Sequence, residues 1–313
     1  MSPWISAFRP RTLPLALASI FTGGFLARAT ELFGIAGVKP GEIKFNGPVV
    51  ALAALTTVLL QILSNLANDY GDSQNGADSV YREGPQRAVQ SGAITPAQMK
   101  RGMWVCGLLA LGSGLALLWV AFGQTLGAAG LGLFLAFLAL GLAAIWAAVN
   151  YTAGSNPYGY AGLGDISVFL FFGIVGVCGT YFLQARALPL AILLPAAALG
   201  CFATAVLNVN NIRDIKSDVL AGKITIPVRL GPAHARRYHW LLLLLGLGCA
   251  TVFVALTYRS PWQWLFALAT PLFAFNAIQI WQRQESMQID PLLKQMALST
   301  LVFTVLFGVG QVV

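Results

Sequence analysis

Along the chain, long unbroken apolar stretches alternate with short polar ones. The apolar stretches run over about 12–28, 48–67, 102–122, 124–150, 163–185, 188–210, 239–257, 262–281 and 292–311, and each reaches the roughly 17 residues that a helix needs to cross the hydrocarbon core of a bilayer. None shows the period-two alternation of a membrane barrel, and backbone left unpaired by an open sheet is not tolerated in lipid. The pattern predicts an all-α integral membrane protein, a bundle of nine transmembrane helices. Nothing in the pattern marks a second domain, so residues 1–313 are read as one transmembrane domain.

Composition agrees: 57% of the residues are hydrophobic and 10% are charged, far from the balance of a soluble domain. The segment before the first apolar run carries Arg9 and Arg11 without a small-residue cleavage site, which predicts an uncleaved first helix. If Lys and Arg mark the cytoplasmic side, an inside N-terminus puts fourteen of the nineteen basic residues on that side, among them Arg82, Arg87, Arg213 and Lys223. The expectation is therefore a bacterial inner-membrane protein with N-terminus and polar loops in the cytoplasm and the C-terminus opposite. A basic inner face beside anionic lipid accounts for the net charge of +8 without nucleic acid as a partner.

The chemistry gathers at the polar ends of the spans. The second span ends in Asn68-Asp69-Tyr70-Gly71-Asp72 with Asp78 beyond, and the sixth in Asn211-Ile212-Arg213-Asp214 with Asp218 beyond, giving two aspartate-rich cytoplasmic loops. The parallel suggests an internal repeat over about 48–150 and 188–281. On a helix, Asp214 and Asp218 share a face, as do Asn68 and Asp72, and Asp69 lies three before Asp72. Like charges at that spacing repel unless a cation lies between them. Oxygen ligands without nearby His or Cys select a hard cation such as Mg2+, bound through carboxylates together with substrate phosphates. Arg82, Arg87, Arg213 and Lys223 are placed to contact phosphate oxygens. Surface carboxylates commonly just pair with loop arginines in water, but seven of the eleven acidic residues fall in the inner segments around these motifs, which points to a metal-diphosphate site.

The segment from Tyr151 to Asp165 holds three tyrosines, one acid and no basic residue, and reads as a binding wall whose ring faces can stabilise a cation. His234 and His239 are expected to be interfacial structural residues, Trp4, Trp104, Trp240, Trp262 and Trp281 interfacial anchors, and Cys106, Cys178, Cys201 and Cys249 small core residues.

The first cluster is similar to the Asn-Asp-x-x-Asp signature of the intramembrane aromatic prenyltransferases. The run Asn211-x-x-Asp214-x-x-x-Asp218 followed by Ala221-Gly222-Lys223-x-Thr225 resembles the second aspartate-rich motif of that family. Gly84-Pro85-x-Arg87-Ala88-Val89, Ser91-Gly92 and Asn210-Asn211-Ile212-Arg213-Asp214 look most like the branch acting on 1,4-dihydroxy-2-naphthoate in menaquinone or phylloquinone synthesis. A common form of the first motif has an aspartate four residues after the second, where this chain has Gly76 and carries Asp78 instead. The resemblance implies that Asp69, Asp72, Asp214 and Asp218, with Asp78, hold Mg2+ on a polyprenyl diphosphate, and that Arg87 and Lys223 bind its phosphate oxygens. It further implies an apolar tunnel open to membrane lipid, ionisation of the allylic C–O bond, attack by the aromatic ring and loss of its carboxylate as CO2. The 151–165 segment is then the candidate for positioning the aromatic acceptor, through Tyr151 and Tyr158 first and Asp165 after them, with Tyr151 also a catalytic candidate and Asn68 and Asn211 substrate-binding candidates. The metal motifs report the donor, so 4-hydroxybenzoate, homogentisate or a porphyrin remain alternative acceptors. From another class, a secondary transporter would also repeat its half-sites, though with its ion ligands at mid-span rather than at span ends.

Overall fold

The computed structural model describes residues 2–35, 37–76, 84–123 and 127–313, so the expected ligand Asp78 and the expected phosphate contact Arg82 lie outside the described residues. Among the described residues, nine helices are long and apolar enough to cross a membrane: α1 (Pro3–Phe33), α2 (Gly47–Gln74), α3 (Pro96–Phe122), α4 (Gly130–Asn150), α5 (Gly164–Ala185), α6 (Leu190–Arg213), α7 (Ile226–Leu256), α8 (Pro261–Gln282) and α9 (Ser286–Val312). Successive spans alternate in direction, so the C-terminal ends of α2, α4 and α6 and the start of α1 meet at one end of the bundle. Both aspartate motifs lie there.

Sequence-local devices fix where the helices begin. Asn46 caps α2 by accepting from Val49 N at 3.4 Å. Thr95 and Gln98 form a reciprocal capping box ahead of Pro96 at the start of α3. Near its start α1 breaks at Arg9, whose left-handed φ of 50° is uncommon for a residue with a Cβ. The seventh span was expected from about residue 239, but its helix starts at Ile226 and kinks at Gly231 (φ 74°) and Pro232. Its first thirteen residues are rich in charge and so invisible to a search for apolar runs.

The tight core lies where α6 meets α7, α8, α9 and α5. Phe202 stacks on Phe273 with centroids 4.4 Å apart and meets Phe303 edge-on at 4.9 Å. Inside α5, Phe169–Cys178 is wound as a π-helix. This wider winding packs closely because glycines face it: a Cβ on Gly173 would lie 2.6 Å from the Ala196 carbonyl oxygen of α6, and one on Gly23 of α1 2.6 Å from that of Val177. His239 sits fully buried, Nε2 2.9 Å from Asn276 Oδ1, rather than at the interface as expected. The seam between α4 and α5 is closed toward one end by the stacked rings of Phe137 and Phe182, 5.6 Å apart. Toward the other end Tyr158 donates to the Ala147 carbonyl at 2.9 Å and lies 3.1 Å from Ser167 Oγ.

Candidate active site

A cavity of about 340 Å³ runs between α1, α2, α3, α4, α5 and α6. Its lining changes character along its length. At the motif end stand Asn68, Asp72, Arg87, Asn211, Lys223 and Tyr151; farther in stand Ile20, Ala53, Leu118 and Phe137. Along α2 the distance from Asn68 back to Ala53 is about 22 Å at 1.5 Å per residue, deep enough for several isoprene units.

α2 presents its polar residues on different faces. Four residues put Asp72 about 40° around from Asn68, whereas adjacent Asn68 and Asp69 are about 100° apart. Asn68 and Asp72 line the cavity, whereas Asp69 does not, its carboxylate being engaged by the backbone of the 84–92 segment. The Asp69 carboxylate, 2% exposed, accepts from Ala88 N at 3.2 Å and Val89 N at 3.1 Å. Asn68 Oδ1 accepts from Thr152 Oγ1 at 2.7 Å. Asp72, 1% exposed, pairs with Arg87 at 2.9 Å and accepts from Tyr160 OH at 2.8 Å.

The second motif is built at the C-terminal end of α6 and the short helix Ile215–Leu220. Arg213 was expected to face phosphate, but it is buried and donates to both oxygens of Asp214, at 2.7 and 2.6 Å, and to Asp290 of α9. Asp290 in turn receives Arg11 at 2.9 Å. Asp218 lies 3.5 Å from Lys223 Nζ through one oxygen, while its other oxygen is buried without a hydrogen-bond partner. Burial, reinforced by the nearby charges of Asp214 and Asp72 and opposed by Lys223, pushes the Asp218 carboxyl up to about 6.

The Tyr151 segment joins the two motifs. Tyr160 bonds Asp72, its carbonyl accepts from Ile224 N at 2.9 Å, and its ring lies under Lys223, 5.6 Å from Nζ. Tyr151 lines the cavity edge-on to Tyr158, with ring centroids 5.4 Å apart. Burial first, then the carboxylates of Asp165, Asp218 and Asp72, raises the Tyr151 phenol well above its ordinary value, so it stays protonated. Burial also raises Tyr158, against a hydrogen bond from Ser167. Asp165 stands outside the cavity lining, where its carboxylate accepts from Tyr238 OH at 3.0 Å.

The structure thus brings Asn68, Asp72, Arg87, Tyr151, Tyr158, Asn211 and Lys223 to one cavity, with Asp214 and Asp218 close enough to act on the same charges. Asp69, Arg213 and Asp165 support it from outside. Tyr160, Thr152 and Asp290 were not singled out by sequence reasoning. The one signal for Asp290 is an acid near the start of an otherwise apolar span.

The UbiA prenyltransferase family profile matches residues 16–301. This chain belongs to the UbiA prenyltransferase family. Among relatives, the protein of Haemophilus influenzae named 1,4-dihydroxy-2-naphthoate octaprenyltransferase is 44% identical over 310 residues, covering 99% of this chain and 96% of its own. The protein of the same name from Escherichia coli is 46% identical over 308 residues, covering 98% and 94%. A solved UbiA homologue from Archaeoglobus fulgidus, bound to GPP and Mg2+, superposes with a TM-score of 0.63 at 16% identity, covering 99% of each chain. The UbiA fold is therefore common to both. Membership of the prenyltransferase family, with relatives named as octaprenyltransferases, removes the ground for a transporter.

Proposed function

We propose that this chain transfers the prenyl group of a polyprenyl diphosphate to 1,4-dihydroxy-2-naphthoate, releasing diphosphate and CO2, in menaquinone or phylloquinone synthesis. The observation that carries the reaction is the cavity, whose end of carboxylates, amides and cations opens into an apolar shaft. The names of the relatives at 44 and 46% identity support the acceptor, and GPP and Mg2+ in the Archaeoglobus homologue support the donor and the metal.

Among the described residues no three acidic, histidine or cysteine side chains converge as a ready-made metal cage. The residues nonetheless fit a hard divalent cation: the donors are all oxygens, and the unpartnered buried oxygen of Asp218 is suited to one. Asp72, Asp214 and Asp218, with the amide oxygens of Asn68 and Asn211, would hold Mg2+, which when bound stabilises the diphosphate as it departs. Arg87 and Lys223 contact phosphate oxygens from the cavity wall. The apolar shaft holds the isoprenoid and keeps water from the allylic cation. The C–O bond breaks with its electron pair passing to diphosphate, while the protonated Tyr151 presents a neutral ring face to the positive carbon. The naphthoate ring attacks to form the C–C bond. The carboxylate on the attacked carbon leaves as CO2, and its bonding electrons restore the aromatic ring.

The concentration of basic residues at the motif end supports a cytoplasmic N-terminus and active site, with the C-terminus on the other side of a bacterial inner membrane. The test is incubation of purified protein with 1,4-dihydroxy-2-naphthoate, a polyprenyl diphosphate and Mg2+, with and without chelator, and mass spectrometry of the lipid extract. A magnesium-dependent prenylated naphthoquinol lacking the carboxylate is expected. Product from 4-hydroxybenzoate or homogentisate instead would overturn the acceptor; no product from any of the three would overturn the reaction.

A further inference from the structure

We infer that Asp69, although it stands inside the first aspartate motif, is a positioning residue that sets the 87–91 turn and thereby aims Arg87, rather than a ligand of the metal. The inference rests on the function proposed above. Its ground is geometric. Asp69 is absent from the cavity lining, although Asn68 and Asp72 of the same motif are in it. Its two oxygens accept one N–H each from Ala88 and Val89, at 3.2 and 3.1 Å. Those N–H groups open a turn in which Ser91 N bonds Arg87 O at 2.9 Å and Gly92 N bonds Val89 O at 3.0 Å, so the turn cannot supply them with carbonyl partners.

A buried carboxylate facing two amides makes charge-assisted hydrogen bonds, stronger than those between neutral groups. Ala88 and Val89 also pack into the apolar cluster of Leu66, Met99 and Met103, which fixes the far side of the turn. Three residues beyond Asp69, Asp72 receives the Arg87 guanidinium at 2.9 Å. The loop is thus tied to α2 at two points, backbone to Asp69 and side chain to Asp72. Asp69 decides where the Cα of Arg87 lies, and Asp72 shares Arg87 with the incoming anion. This divides the two aspartates of one motif between framework and cation, a distinction that their spacing conceals.

Binding of Mn2+ and of inorganic pyrophosphate is measured by calorimetry on the full-length protein in detergent, for wild type, Asp69→Asn, Asp69→Ala, Asp72→Ala, Arg87→Ala and the Asp69→Ala/Arg87→Ala pair. Asp69→Ala should leave Mn2+ affinity within about twofold and weaken Mn2+-dependent pyrophosphate binding about tenfold, the order of one lost charge-assisted contact. The double variant should be no weaker than Arg87→Ala alone, because both lose the same contact. Asp69→Asn keeps one acceptor oxygen, so it should bind pyrophosphate at an intermediate level and give a folded variant should alanine not fold. In turnover, KM for the polyprenyl diphosphate should rise while KM for the naphthoate stays put. Loss of Mn2+ affinity in Asp69→Asn to the extent seen in Asp72→Ala, or independent effects in the double variant, would overturn the inference. Wild-type protein that binds neither probe would instead overturn the functional reading beneath it.

Discussion

Gly71→Ala tests the architecture of the site at its tightest point. Gly71 lies on α2 between Asp69 and Asp72, and a Cβ there would stand 2.3 Å from the Thr152 carbonyl oxygen, 2.5 Å from its carbon and 2.7 Å from Ala153 N. All three atoms are backbone, so no side chain can swing aside. Restoring ordinary contact requires α2 and the 151–153 segment to part by roughly 1 Å. Two bonds span that junction, Thr152 Oγ1 to Asn68 Oδ1 at 2.7 Å and Asn75 Nδ2 to the Thr152 carbonyl at 2.9 Å. Overpacking of this kind costs about 1–3 kcal/mol of stability. Function should suffer more, since the displacement separates Asn68 and Asp72 from Tyr151, and misplacement of that size lowers turnover on the order of a hundredfold. The assay is initial-rate prenyl transfer in detergent beside thermal melting of the same preparation. Gly112→Ala serves as control, because nothing lies within 4 Å of a Cβ at that helical position. Activity of Gly71→Ala within about threefold of wild type, where a loss of order a hundredfold is expected, would refute the claim that this close approach sets the site.

Asp290→Ala removes a carboxylate shared by Arg11 and the buried Arg213. We expect a loss of about 2–3 kcal/mol, below the full cost of breaking a buried pair because Asp290 is partly exposed; an unshifted melting temperature would exclude the network as a support. For Asp218, burial favours the protonated form, so its folded pKa of about 6 lies above the unfolded value of 3.8. In the metal-free protein the stability from that proton is present below about 4 and is lost as pH rises through about 6. Cation binding must displace the same proton, so Mn2+ affinity should climb with pH up to about 6 and then level off. Asp218→Asn should flatten that rise, and a flat wild-type profile would contradict the assignment. Tyr158→Phe removes the hydroxyl joining Ala147 to Ser167 across the α4–α5 seam. It should cost about 1 kcal/mol and loosen α4, read as faster amide exchange near its C-terminal end; unchanged exchange would show that the seam is held elsewhere.

The spans were legible because unbroken apolar runs have one solution in lipid. The motif end was legible because carboxylates are scarce in this chain and cluster where spans end. What sequence spacing could not decide was direction within a motif. Asp69 and Asp72 are chemically identical and three residues apart, yet one faces backbone amides and the other faces the cavity, a division fixed by the path of the 84–92 segment. The same holds for Arg213, which reads as a phosphate contact beside Asp214 until Asp290 arrives from a span over seventy residues away. Tyr160 could not be chosen over Tyr151 or Tyr158, since its link to Asp72 is made between segments 88 residues apart.

Asp72 pairs with Arg87, Asp214 with Arg213 and Asp218 with Lys223, which makes the site an ion exchanger. These three carboxylates each already face a basic side chain beside the low-dielectric shaft. On the proposed chemistry, substrate loading swaps partners: carboxylates trade basic side chains for metal, and the cavity-lining Arg87 and Lys223 trade carboxylates for phosphate oxygens. Ion pairs are exchanged rather than created, so the net gain on loading is smaller than the number of new contacts suggests. The reverse swap is available after reaction, when the internal pairs re-form and help expel diphosphate, so that the resting salt bridges act as a return spring for the next turnover.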